Sequence, residues 1–276
     1  MEKNMEKITL FGFNNLTKTL SFNIFDVCYV TTTQEKEDYI QYIDGEYNSE
    51  RLTEILCNVT ETIGASVLNI SKQDYEPQGA SVNILITEEP IPKDKIDDSC
   101  NQGEGLYFAQ ALATRNNEIL GHLDKSHLTV HTYPEYHPDK NIATFRLDIE
   151  VSTCGTISPL KALNYLIESF DSDIITIDYR VRGFTRDIAG KKLFVDHDMT
   201  SIQNYIRKET LEKYRATDVN SYGVNLYHTK MMIEDIHLQN YLFQHDVSEL
   251  SEGERRDITR KLQEEMTEIY HSRNIY

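Results

Sequence analysis

The chain has few cysteines, and none of them lies close to another. Cys28, Cys57, Cys100 and Cys154 form no C-x-x-C pair, so we expect reduced thiols in a cytoplasmic protein rather than a disulfide framework. Long apolar runs are also missing, and residues 1–6 are polar without an apolar segment behind them. This pattern predicts a protein that does not associate with a membrane.

Basic residues are scarce relative to acidic ones. The chain has 28 Lys and Arg against 45 Asp and Glu, which gives a formal net charge of -17. An acidic surface repels phosphate backbones, so nucleic acid is not expected as a partner. With 276 residues, 39% of them hydrophobic, and no internal repeat, the sequence predicts one domain over residues 1–276.

Hydrophobic periodicity predicts an α+β fold with a largely antiparallel β-sheet packed against helices. Runs rich in β-branched and aromatic residues predict strands at 8–13, 21–30, 67–70, 80–87, 126–133, 143–151 and 175–181. Helices are predicted at 48–64, 107–120, 158–166, 200–215 and 251–269. Gly64 ends the first of these, and a capping box at Ser251 and Glu254 begins the last. Residues 88–104 are predicted to form a loop.

The run that carries most information spans residues 122–135, HLDKSHLTVHTYPE. Ser126 lies in a strand-like alternation, and His131 follows five positions later. Residues i and i+5 of a strand point to opposite faces, so His131 reaches Ser126 only through a bend or another strand. Taken alone, Ser126 and Ser81 are compatible with ordinary strand hydroxyls. Cys154, in the run TCG, is equally compatible with a buried small hydrophobe.

Three motifs together resemble the S-adenosylmethionine decarboxylase family. Residues 125–135 match its x-S-H-x-x-x-H-T-x-P-E box, and residues 153–155 match its Thr-Cys-Gly box, which Ser158 and Pro159 follow at a helix start. Residues 77–79, PQG, resemble a strand entry of the same family. The segments FGFNNLTK at 11–18 and RVRGFTRD at 180–187 resemble its longer bacterial subgroup, so the similarity extends over nearly the whole chain in order.

The resemblance implies that the chain is a zymogen that cuts itself. Ser126 would attack the carbonyl of Lys125, leaving a β chain of residues 1–125 and an α chain of residues 126–276 whose first residue becomes a pyruvoyl group. It implies that His131 accepts a proton during this processing, a role for which an imidazole near neutral pKa is suited. Ser81 matches a position that supports processing in shorter relatives.

The resemblance also implies a lyase reaction. The pyruvoyl group would form a Schiff base with S-adenosylmethionine, and Cys154 would protonate the carbon that loses CO2. The product, S-adenosylmethioninamine, supplies spermidine biosynthesis in the polyamine pathway. The family further implies a sandwich of sheet and helices, self-association of αβ units, and Mg²⁺ as an activator of some longer members.

The chain departs from shorter relatives by an insertion over residues 88–123, by a smaller one between residues 135 and 153, and by Lys125 in place of an acidic residue. These features resemble the longer subgroup. The spacing of His122, His127, His131 and His137 fits no common zinc pattern, so no protein metal site is predicted. Two alternatives stay open: a non-processing relative that binds or regulates an active copy, and a pyruvoyl decarboxylase of another amino acid, such as arginine or ornithine.

Overall fold

The computed structural model describes residues 10–12, 14–88, 126–138 and 140–275. Its elements, in chain order, are β1 (Thr17–Tyr29), α1 (Thr33–Glu46), α2 (Ser49–Ile63), β2 (Ser66–Asp74), β3 (Ala80–Thr87), β4 (Ser126–Tyr136), β5 (Ile142–Cys154), α3 (Leu163–Phe170), β6 (Ile174–Arg182), β7 (Thr185–Arg186), β8 (Lys192–Leu193), α4 (Lys208–Leu211), β9 (Tyr214–Asp218), β10 (Leu226–Ile233) and α5 (Glu252–His271). The strand predicted at 8–13, the helix at 107–120 and the loop at 88–104 lie wholly or partly outside the described residues, as do Cys100, His122 and Lys125.

Eight strands form one antiparallel sheet in the order β2-β3-β4-β5-β1-β6-β10-β9, while β7 and β8 form a separate hairpin. β4 therefore lies between β3 and β5, where His127 pairs with Ser152 and Ile86 pairs with Ser126. This register brings the start of β4, at Ser126, beside the end of β5, at Cys154. The fold thus joins the two motifs that the sequence singled out.

One face of the sheet is apolar, and three helices cover it. Alternate strand residues such as Leu20, Phe22 and Val130 are fully buried against α1, α2 and α3. Each buried Leu or Phe side chain contributes roughly 1.5–3 kcal/mol through the hydrophobic effect. In α2 the side chain of Asn48 caps the first turn, and Gly64 ends the helix with a φ of 85°, because only a residue that tolerates positive φ fits there.

Of the described helices, α5 is the one that lies on the opposite face, and it covers one end of it. Ile258, Leu262 and Met266 of α5 are buried in a second cluster with strand residues that include Val27 and Ile174. Ser251 and Glu254 form the predicted capping box, in which each side chain bonds the other's backbone N–H. The C-terminal helix is therefore fixed by both its cap and its apolar stripe.

The rest of this face, among the described residues, is a row of polar side chains that no described helix covers. Across neighbouring strands the register places His131 beside Asp148, Asp148 beside Asn23, and Asn23 beside Thr176. All four are half-buried rather than fully buried. We call the uncovered part of the sheet the polar face, and the side packed on α1–α3 the helix face.

The predicted α+β class with an antiparallel sheet and packed helices is confirmed. The helix predicted at 200–215 is wrong, because this stretch holds only a short 3-10 turn at Ile202–Tyr205, the four-residue α4, and the start of β9. Asn164 holds the backbone between these pieces by donating to the Tyr205 carbonyl and accepting from the Arg207 N–H. These contacts favour extended backbone where sequence periodicity alone favours a helix.

The helix predicted after Ser158 begins as a 3-10 turn at Pro159–Ala162 and continues as α3, and the Ser158 side chain makes no capping bond. No helix among the described residues is long and apolar enough to cross a membrane.

Candidate active site

Ser126 and Cys154 meet at the end of the β4–β5 pair. The backbone N–H of Cys154 donates to Ser126 Oγ at 3.2 Å, and Cys154 Sγ lies 3.4 Å from the same oxygen. Ser126 is 7% exposed, and Cys154 is partly buried. The serine hydroxyl therefore has both a fixed hydrogen-bond donor and a thiol beside it, although the two residues are 28 positions apart.

The site lies where β4 begins and β5 ends, because Ser126 is the first residue of β4 and Cys154 the last of β5. Alternation places Ser126 on the helix face with Leu128 and Val130, whereas Cys154 follows Ser152 on the polar face. Contact between the two side chains is possible because both belong to terminal strand residues. A reactive group formed at Ser126 would consequently lie at the rim of the sheet rather than inside the core.

The turn after Cys154 requires a glycine. Gly155 has a φ of 69°, a conformation that L side chains rarely adopt, and a Cβ built there would displace the Glu88 carboxylate. The same carboxylate oxygen accepts the Thr156 N–H at 3.2 Å. Glu88, at the end of β3, thus packs directly on the turn that carries Cys154.

His131 lies on the polar face of β4, away from Ser126. β4 pairs with β3 and β5 without a register shift, so the alternation of side chains holds from Ser126 to His131. Five residues of strand span roughly 16 Å, and the His131 ring is stacked near Tyr133, with ring centroids 6.3 Å apart. Within one chain, the structure therefore brings Ser126 and Cys154 together but not Ser126 and His131.

Ser81 is the direct neighbour of His131 on β3. The two residues pair in the register, and Ser81 Oγ lies 2.8 Å from the Tyr75 hydroxyl. Ser81 is 4% exposed. The two residues expected to support processing thus form their own pair, separate from Ser126 and Cys154.

The other described cysteines are Cys28 in β1 and Cys57 in α2. Burial raises the pKa of the Cys28 thiol to about 12 and that of Cys57 to about 11, so both stay protonated at neutral pH. Cys28 pairs with Ala143, at the opposite end of β5 from Cys154. Cys154 is the described cysteine that the fold places at the candidate site.

Sequence reasoning missed two charged residues of this region, Lys18 and Glu88. Lys18 occupies a helix-face position of β1, in the alternation that continues with Leu20, Phe22 and Ile24. A lysine at a core position of an otherwise apolar alternation is the signal that could have identified it, because a buried ammonium needs partners. Glu88 had no comparable signal, since its contact depends on the fold.

The comparisons with known proteins agree with the motifs. A family model described as S-adenosylmethionine decarboxylase matches residues 44–183. A protein of Alkaliphilus oremlandii named S-adenosylmethionine decarboxylase proenzyme is 66% identical over 271 residues, covering 98% of each chain. A protein of Alkalilimnicola ehrlichii with the same name is 57% identical over 275 residues, covering 100% of this chain and 98% of its own.

A solved structure, the adenosylmethionine decarboxylase of Aquifex aeolicus, shares 15% identity, covers 68% of this chain and 99% of its own, and superposes with a TM-score of 0.31. The family is established by the sequence relatives and by the family model instead. The chain belongs to the S-adenosylmethionine decarboxylase family.

Proposed function

We propose that this chain is a proenzyme that cuts itself between Lys125 and Ser126 and then decarboxylates S-adenosylmethionine to S-adenosylmethioninamine and CO2 for spermidine synthesis. Family membership supports the reaction, and its relatives are named proenzymes. The observation that carries the proposal is the contact of Ser126 Oγ with the N–H and thiol of Cys154. The proposed nucleophile, Ser126, and the proposed proton donor, Cys154, are thereby in direct contact.

The cleavage step uses groups of the chain itself. Ser126 Oγ attacks the carbonyl carbon of Lys125; the C–O bond forms as the C–N bond breaks, and the nitrogen of Ser126 becomes a free amine. A base then removes the Cα proton of Ser126. The Cβ–Oγ bond breaks, and the oxygen leaves as part of the Lys125 carboxylate. Water then replaces the nitrogen, which departs as ammonia, and a pyruvoyl group is left at position 126.

The base in this step is His131, and its position on the polar face bears on how the chains assemble. Because His131 of the same chain faces away from Ser126, we propose that it acts on the Ser126 of a second copy docked against the polar face. Self-association of αβ units would then complete the processing site. Co-expression of differently tagged S126A and H131A chains tests this. We expect the H131A chain to be cut only when the S126A chain is present, and an uncut pair would contradict it.

The residues around Ser126 fit a pyruvoyl group at this position, since the Cys154 N–H offers a donor and the Cys154 thiol lies beside it. When present, the group supplies a ketone that condenses with an amine and accepts the electrons released by decarboxylation. Cys154 then delivers a proton from its thiol to the substrate carbon that has lost CO2. Its place at the rim of the sheet leaves the thiol accessible to a bound substrate.

Magnesium as an activator and a cytoplasmic location belong to the same proposal. The resemblance to the longer subgroup supports magnesium, but the described residues contain no group of three or more His, Cys, Asp or Glu side chains placed to hold a metal. Dialysis against a chelator, followed by a magnesium titration, is expected to lower and then restore turnover; activity unchanged by the chelator would contradict the role. The free described cysteines are compatible with a reducing compartment.

The experiment that tests the function is CO2 release from carboxyl-labelled substrates by the purified chain. We expect release from S-adenosylmethionine and none from arginine or ornithine. Release from an amino acid alone would favour the alternative pyruvoyl decarboxylase. No release from any substrate, with an uncut chain, would favour the non-processing relative.

A further inference from the structure

A buried lysine of β1, Lys18, forms hydrogen bonds with the turn that follows Cys154. Lys18 is 1% exposed, and its Nζ donates to the Gly155 carbonyl at 3.1 Å and to the Ile157 carbonyl at 3.2 Å. Lys18 pairs with Thr153 in the β1–β5 register, so its side chain starts directly beside the turn. One ammonium thus fixes two carbonyls of the turn after Cys154, those of residues 155 and 157.

A carboxylate from a distant loop balances this charge. Asp196 Oδ2 lies 2.6 Å from Lys18 Nζ and accepts from Asn14 Nδ2 at 2.8 Å, while Asp196 Oδ1 lies 2.7 Å from His197 Nδ1. Burial alone would raise the pKa of Asp196, but the bond to His197, followed by the bond and charge of Lys18, holds it well below its ordinary value. Asp196 is therefore ionised at any pH at which the protein works.

An ion pair in this position contributes little to net stability, because desolvation of both charges offsets most of their attraction. The ion pair has a larger effect on the position of the Cys154 turn than on the free energy of unfolding. Thr153 lies between Ser126 and Lys18 on the helix face, since His127 pairs with Ser152 and Thr153 with Lys18. The turn therefore contacts Ser126 through Cys154 and is held by the Lys18 ammonium through the carbonyls of residues 155 and 157.

We propose that Lys18 and Asp196 are positioning residues that hold the Cys154 thiol where it protonates the correct carbon. The inference rests on the proposed function. Lys18 precedes the proposed cleavage point, whereas Cys154 and Asp196 follow it. The pair is then also a tie between the β chain and the α chain, and it keeps the Cys154 turn in place after the backbone has been cut.

The test compares K18M, D196N and the K18M/D196N double variant with K161M and D198N, which change the same residue types at exposed positions. Each variant is assayed for thermal unfolding, extent of self-cleavage, kcat and KM. D196N leaves a buried ammonium without its counter-ion, so we expect it to be the least stable. The double variant has no unpaired charge, and its stability is expected to recover.

In the K18M/D196N double variant, we expect the stability to recover but the turnover to stay low. A displacement of about 1 Å can lower a rate on the order of 10²-fold, so we expect kcat to fall by about this factor in all three variants, with KM nearly unchanged. A double variant that regains both stability and kcat would show a purely structural role and overturn the proposal. So would a kcat no lower than in K161M and D198N.

A second readout follows the proton itself. The Cys154 proton could go to the α carbon of residue 126 instead of the substrate carbon. In that case the substrate nitrogen stays on the α chain, which then starts with alanine. The ketone oxygen leaves as water when the substrate amine condenses, a second water supplies the oxygen of the released aldehyde, and CO2 is still released. Mass spectrometry of the α chain after turnover is expected to show more alanine start in the double variant than in wild type. An unchanged alanine fraction would overturn the proposal.

A third readout needs neither cleavage nor turnover. In full-length S126A chains, hydrogen exchange at the amides of residues 155–157 is expected to be faster with K18M/D196N than without. Equal exchange would contradict a positioning role. If instead the wild-type chain proves uncut and inactive, the proposed function fails, and this exchange measurement still reports on the turn alone.

Discussion

A buried carboxylate lies beside each end of β1, and the pKa values of the two carboxylates are shifted in opposite directions. At its start Lys18 and Asp196 form an ion pair beside the Cys154 turn, and the pKa of Asp196 is lowered. Near its end, Asp173 lies beside Tyr241 of the second cluster, and no cation among the described residues pairs with it. It accepts the Val27 N–H at 2.8 Å and the Tyr241 hydroxyl at 2.7 Å. Burial raises the pKa of Asp173 to about 6.

The contrast separates two uses of a buried carboxylate. A carboxylate paired with a cation stays charged and holds neighbouring groups in position, whereas one that meets only neutral donors keeps its proton to a higher pH. We call these regions the site end and the structural end of the sheet. Changes at the site end that leave no buried charge unpaired are expected to alter chemistry at nearly constant stability. Changes at the structural end are expected to do the reverse.

The largest effect is expected for C154S at the site end. The serine hydroxyl is a much weaker acid than the thiol, so kcat is expected to fall about 10²–10⁴-fold, the usual contribution of a general acid. Self-cleavage and the free energy of unfolding should change little. C57S serves as control, since Cys57 is buried in α2, and it should lower stability without changing kcat. Wild-type kcat in C154S would remove Cys154 from the mechanism.

The next largest effect is expected for L262A at the structural end. Leu262 is fully buried in the cluster that holds α5 to the sheet, and such truncations cost about 2–5 kcal/mol. Denaturant unfolding measures this loss, while cleavage and kcat below the unfolding transition should match wild type. A large loss of kcat in a still-folded variant would end the separation between the two regions.

A smaller effect is expected for Y241F, which removes the hydroxyl that donates to Asp173. The loss of a buried hydrogen bond whose acceptor stays behind costs about 1–3 kcal/mol. The same unfolding experiment measures it, with Y222F as control because Tyr222 is exposed. Equal stability of the two variants would show that the Tyr241 bond contributes nothing.

The smallest effect concerns pH. Between about pH 4 and 6 the folded state keeps the Asp173 proton that the unfolded chain has already released, because the folded pKa is the higher one. The stability from this group is therefore present below pH 4 and is lost as pH rises through 6. D173N has no proton to lose, so the difference in unfolding free energy between wild type and D173N should change across this window. Parallel curves would contradict the raised pKa.

Much of the fold could be predicted because local signals agree with the tertiary structure. Asn48 and Gly64 bound α2 as predicted, and the alternation at residues 80–87 coincides with β3. α1 was missed because its apolar positions, Tyr39, Ile40 and Ile43, are few among charged residues. β9 and β10 were missed because their pairing depends on partners distant in the chain.

The site could be predicted in part. Ser126 and Cys154 are named by motifs, and the antiparallel β4–β5 register brings them together. The role of His131 stays a prediction, since the alternation that the sequence already showed places it on the other face. Lys18 and Asp196 are 178 positions apart, and only the fold brings them together.

The central claim is that Ser126 converts this chain into two, and intact-protein mass spectrometry tests it most directly. Wild type, S126A and the neighbouring control T129A are measured after purification. The account predicts two fragments split between Lys125 and Ser126 for wild type and T129A, with the later fragment lighter by one ammonia than a chain that starts with serine. S126A should remain whole. An uncut wild-type chain, or a cut S126A chain, would contradict the account.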